Sequence, residues 1–100
     1  MTTAALADRF RALGFTDGDW FRDLTDKPIE GLVYLTRIHE GQHQYLSLLS
    51  GPWYRAPFIE AVLLVYAQPF NSRAKVRQTP LAARLLRSVE EVELAVAATY

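Results

Sequence analysis

The sequence predicts an all-α protein, a four-helix bundle-like domain with an additional short N-terminal helix. Three observations carry that expectation. Apolar residues recur at helical spacing, so that Leu6, Phe10 and Leu13 share one face, as do Leu81, Leu85, Val89, Val92 and Val96. Prolines and glycines fall where helices start and stop. No segment alternates convincingly at period two, and no Asn-Gly hairpin dipeptide occurs.

The first helix is expected over Ala4 to Leu13, capped by Thr3. Gly14 stands where a left-handed residue closes a helix, with Phe15 folding back as its apolar closure. Thr16 to Leu24 reads as a short second helix with Thr16 and Asp19 as a capping-box-like start. Its acids, Asp17, Asp19 and Asp23, argue against a DNA-reading helix-turn-helix, since phosphates would repel them. Pro28 opens a third helix running to about Leu49, with Leu32, Leu35, Ile38, Tyr45, Leu46 and Leu49 on its apolar face. Ser50-Gly51-Pro52 breaks the chain. Residues 58–66 are apolar almost all round, as in a central buried helix, and Pro69 ends it. Thr79-Pro80 starts the last helix.

One hundred residues make a single domain, 1–100. Half of them are hydrophobic, so a packed core forms without staples. There is no cysteine, which excludes disulfides, thiolate metal sites and cysteine nucleophiles. No basic start, long apolar run or bilayer-length segment is present, so the chain is read as cytoplasmic, with no membrane partner. The net charge is zero, whereas dedicated nucleic-acid binders are usually basic. Nucleic acid is therefore an unfavoured partner, offered at most the basic segment 73–87.

The sharpest chemical motif is His39-Glu40-Gly41-Gln42-His43. On a helix, histidines four apart face one way and can share a zinc ion, while the adjacent Glu40 acts as catalytic general base. The five letters resemble the zincin metallopeptidases. That resemblance implies a third ligand on a following helix, and Glu60 is the only acid between residues 41 and 89. A helix hairpin about Gly51 would bring Glu60 level with His43. Against this stand Arg37 and the flanking glutamines, the helix-weakening Gly41, the lack of a strand to hold substrate and the small size of the chain. The expectation is thus no cofactor, with zinc on His39, His43 and Glu60 as the alternative.

The stretch Phe58 to Phe70, closing Tyr66-Ala67-Gln68-Pro69-Phe70 before Arg73, resembles the central helix of HEPN-like bacterial proteins, with residues 32–73 in the same layout. That family is helical, and many members are ribonucleases of defence or toxin–antitoxin systems. Its catalytic Arg-to-His signature is absent, because no histidine follows His43. The resemblance implies a scaffold without the nuclease. The functional expectation is a non-catalytic helical protein-interaction module of such a system, with a protein partner or as a homo-oligomer. Trp53, Tyr54, Arg73, Lys75 and Arg77 are its candidate interaction residues. The alternative is a zinc-binding protein or a metal-dependent hydrolase.

Overall fold

The computed structural model describes residues 3–18, 32–49, 60–70 and 78–100. Within them the chain is a five-stranded antiparallel meander with two helices. The elements are α1 (Thr3–Ala12), β1 (Thr16–Asp17), β2 (Leu32–His39), β3 (Gln42–Leu49), β4 (Glu60–Tyr66), β5 (Ala82–Leu86) and α2 (Val89–Ala97). Strand order in the sheet follows chain order.

The all-α bundle is therefore corrected. The expected helix from Pro28 to Leu49 is instead the β2–β3 hairpin, with Leu35 opposite Leu46 and Ile38 opposite His43. The expected buried helix over 58–66 is β4, paired to β3 with Leu46 opposite Leu63. The expected last helix begins only at Val89, and the residues before it form β5 along β4. Thr16 and Asp17, read as the start of a second helix, pair with Thr36 and Leu35. The rest of that expected helix, beyond Gly18, lies outside the described residues.

The reason is clearest in β4 and the second half of β3. A strand apolar on both faces reads as a continuous apolar run, which periodicity does not separate from a buried helix. In β3, Leu46 and Leu48 face the helices, while Tyr45 and Leu49 face away. In β4, Ala61, Leu63 and Val65 face the helices, while Val62, Leu64 and Tyr66 face away.

The first helix is as the sequence indicates. Gly14 adopts φ 102°. The amide of Phe15 donates to the Phe10 carbonyl and that of Gly14 to the Arg11 carbonyl, the two bonds of a Schellman closure. The Phe10 and Phe15 rings meet edge to face at 6.1 Å. The second helix is capped by Ser88, whose hydroxyl accepts the Glu91 amide proton, and the Glu91 carboxylate accepts the amide of Arg87.

Both helices lie on one face of the sheet. The core between them joins Leu6, Phe10, Leu35, Leu46, Leu63, Val65, Val92 and Val96, all essentially inaccessible to solvent. Leu81 and Leu85, expected on the apolar stripe of the last helix, are instead about half exposed. Among the described residues, no helix is long and apolar enough to cross a membrane.

Two polar side chains, partly buried Arg37 and fully buried Gln44, meet at the edge of this core. Arg37 lies on the helix-facing side of β2, beside Gln44 of β3. Its Nη1 donates to the Leu13 carbonyl at 3.1 Å, just past the end of α1. Its Nη2 donates at 2.6 Å to the carbonyl of Val96, in the last turn of α2. Its Nε donates to Gln44 Oε1 at 3.0 Å, and its guanidinium lies 4.5 Å from the Phe15 ring centroid. The Gln44 amide is fully buried and donates to the same Val96 carbonyl. The C-terminal carbonyls of a helix carry partial negative charge. A single cation thus caps both helices at once and ties them to the sheet. Burial lowers its pKa below the ordinary arginine value, but an arginine still remains charged at neutral pH.

Candidate functional site

The motif His39-Glu40-Gly41-Gln42-His43 is a hairpin tip. Glu40 and Gly41 are the two central residues of the turn, with φ 50° and φ 79°. Positive φ at both is the mark of a type I′ turn, whose twist suits a two-residue hairpin. Glycine accepts that conformation without strain, and Glu40 adopts it as a non-glycine residue. A Glu-Gly pair thus takes the place usually held by Asn-Gly.

This geometry decides where the histidines point. His39 pairs with Gln42, and Ile38 pairs with His43. Directly opposed residues share a face and successive residues alternate. His39 therefore belongs to the helix side of the sheet and His43 to the other side. The shared helical face that two zinc-binding histidines four apart require does not form. Glu60 is further removed. It pairs with Leu49, whereas His43 pairs with Tyr66, six residues along β4, or about 20 Å away. Glu40, expected as the general base, accepts a hydrogen bond from the Thr99 hydroxyl. Among the described residues, no group of three or more His, Asp or Glu side chains is placed to hold a metal ion.

The tip has a structural partner instead. The side-chain amide of Gln42 donates to the Tyr100 carbonyl, and its Oε1 accepts the Tyr100 amide at 2.9 Å. This reciprocal pair imitates a backbone bridge and holds residues 98–100 against the hairpin. The Tyr100 hydroxyl then donates to the Ala95 carbonyl.

The sheet face away from the helices carries a second group of side chains. Strands with one solvated face ordinarily carry polar side chains there. Here that face carries Tyr34, Ile38, Tyr45, Leu49, Val62, Leu64, Tyr66 and Leu85. At one end, Tyr45, Tyr66 and Phe70 form a mutual ring cluster with centroids 5.3–5.8 Å apart. The Tyr45 hydroxyl accepts the Phe70 amide at 2.7 Å. Elsewhere on this face Ile38, Leu85 and Val62 are 67%, 53% and 37% exposed, while Tyr34, Leu49 and Leu64 are partly buried.

Periodicity missed this surface because it assigned Ile38 and Tyr45 to the same buried helix face as Leu35 and Leu46. The alternation of Leu35, Ile38 and Arg37 about the Gly41 turn is the signal that separates the two faces. The predicted interaction residues Trp53, Tyr54, Arg73, Lys75 and Arg77 lie outside the described residues.

No protein-family model, curated protein or solved structure matches the chain. The helix on which the resemblance to HEPN-like proteins depended is strand β4 over Glu60–Tyr66, so the helical scaffold that the resemblance implied is not this fold.

Proposed function

We propose that the chain is a cytoplasmic, non-catalytic protein-interaction module that engages a protein partner through the sheet face opposite its helices. The observation that carries this reading is the solvent exposure of Ile38, Val62 and Leu85 on a face that they share with Tyr34, Tyr45, Leu49, Leu64 and Tyr66 as well as Thr36, His43, Ser47 and Glu60. At about 25 cal/mol per Å² of apolar surface removed from water, such a face favours being covered. Val62 and Leu85 are direct neighbours across β4 and β5, and apolar side chains exposed together on a sheet face are the material of an interaction surface. The charge balance agrees, since a neutral protein lacks the field that draws nucleic acid.

The test is site-specific photocrosslinking in the native cell. A benzophenone side chain replaces Ile38 in one variant and Val62 in another. A third variant carries it at Glu90, which is exposed on α2. One discrete adduct from positions 38 and 62, absent from position 90, is the expected result. Equal labelling from all three positions, or none from any, overturns the reading.

A further inference from the structure

We propose that residues 98–100 are a strap that opens and closes as a unit on the folded domain, latched by the tip of the β2–β3 hairpin. The strap lies on the helix side of the sheet, so its motion is independent of whatever occupies the far face.

Helix α2 ends at Ala97, and Ala98 turns the chain into extended backbone with φ −77° and ψ 152°. Apart from the Ala98 amide, which reaches the Ala95 carbonyl at 3.4 Å, no backbone-to-backbone bond holds residues 98–100 among the described residues. The strap joins no strand ladder. Two side chains at the hairpin tip hold it instead, 58 and 59 positions away. Gln42 spends both ends of its amide on the Tyr100 backbone, and Glu40 accepts the Thr99 hydroxyl. The Tyr100 ring packs against the core, with its hydroxyl on the Ala95 carbonyl. The ring also walls a groove between β5 and α2, with Leu86, Leu94 and Ala95 among its other walls. Closed, the strap covers this flank, where Ala95 is only 5% exposed. Lifted, it uncovers Ala95 and widens the groove beside Leu94.

A segment held by a few hydrogen bonds and one ring opens at far lower free energy than a core strand. Each of those bonds changes the opening equilibrium only severalfold, so the two tip residues set how often the strap lifts. Glu40 shows that the tip serves more than its own turn. It holds φ 50°, a conformation that glycine or asparagine takes at less cost. Turn geometry alone therefore favours another residue here. What the glutamate side chain adds is the bond to Thr99.

Thiol labelling tests this, because the chain has no cysteine of its own. Ala95→Cys places a thiol under the strap. Ala7→Cys places one on the core side of α1, where Ala7 is fully buried. Both are labelled with an aromatic disulfide reagent in urea below the unfolding transition. A strap that opens alone exposes little surface. Position 95 is therefore expected to label at least about a hundredfold faster than position 7, at a rate nearly independent of urea. Position 7 labels through global unfolding, and its rate rises steeply with urea. Gln42→Ala removes two ties and is expected to raise the rate at position 95 by about tenfold or more. Glu40→Gly removes one tie while relaxing the turn, and is expected to raise that rate about fivefold with little change in Tm. In the chain without an introduced thiol, the Tyr100 amide is expected to exchange with solvent far faster than the amides of β3. Labelling at position 95 as slow and as urea-dependent as at position 7 overturns the inference, as does exchange of the Tyr100 amide at the β3 rate. A rate at position 95 indifferent to Gln42→Ala overturns the hairpin tip as the latch.

Discussion

Leu46→Ala is expected to lower the unfolding free energy by about 3–5 kcal/mol and to leave a large part of the protein unfolded at physiological temperature. Leu46 sits on the central strand β3, fully buried, with Leu35 opposite it on β2 and Leu63 on β4. The helices close over the same three side chains. Removing three carbons there leaves a cavity walled on all sides, and strands held by continuous ladders cannot collapse into it. A domain of this size has a total stability of roughly 5–15 kcal/mol, so the loss takes a large share. The neighbouring change Tyr45→Ala, on the other face, removes ring contacts to Tyr66 and Phe70 but leaves the helix-side core intact. Urea denaturation of both variants measures the difference. A Leu46→Ala variant as stable as wild type contradicts the position of the core.

Arg37→Leu is expected to cost about 2–3 kcal/mol, the value of hydrogen bonds to a charged group whose partners are left unpaired. For a chain of about this length that is a fall in Tm of roughly 10–20 °C. The leucine keeps much of the side chain's bulk over Phe15, so the loss reports the two helix-end carbonyls and Gln44 rather than packing. Arg37→Lys separates charge from geometry. An ammonium is a point donor, whereas the guanidinium reaches Leu13 and Val96 on separate nitrogens. If the fork is what matters, the lysine variant lies close to the leucine variant. If charge alone matters, it lies close to wild type. Thermal unfolding by circular dichroism distinguishes the two, and no loss in either variant would contradict the clamp.

The same residues show what the sequence could and could not convey. The first helix was legible because its features are local. Gly14 and Phe15 announce a Schellman closure within a few residues of Phe10. Strand pairing is not local, and here the local pattern misleads. Arg37 is read from sequence as pointing away from an apolar helix face, a residue unsuited to a metal motif. In the fold it is among the most heavily bonded side chains, because the carbonyls it holds lie 24 and 59 positions away. Gln44 likewise reads as pointing away from that face and is fully buried.

β4 carried better signals than periodicity. Its seven residues lie between Pro57 and Pro69, and they include Val62, Val65 and Tyr66. That length and composition favour a strand over a helix. Gly41 reads as a weakness in a helix and is a requirement of a turn. The zinc motif shows why spacing needs an element to act on. Histidines four apart share a face only at a period near 3.6. Across a two-residue turn the same spacing sends them to opposite sides.

That last point is also the most direct test. The chain contains no cysteine, so a pair introduced by mutation has no competitor. His43→Cys is combined with Ile38→Cys in one variant and with His39→Cys in another, and disulfide formation under mild oxidation is measured by mass spectrometry. In the hairpin, positions 38 and 43 are directly opposed, with Cα atoms about 4.5–5.5 Å apart, within disulfide reach. The 39/43 pair lies on opposite faces. The account predicts that the 38/43 variant closes readily and the 39/43 variant does not. Closure of 39/43 with 38/43 remaining reduced would place the two histidines on one face and contradict the sheet.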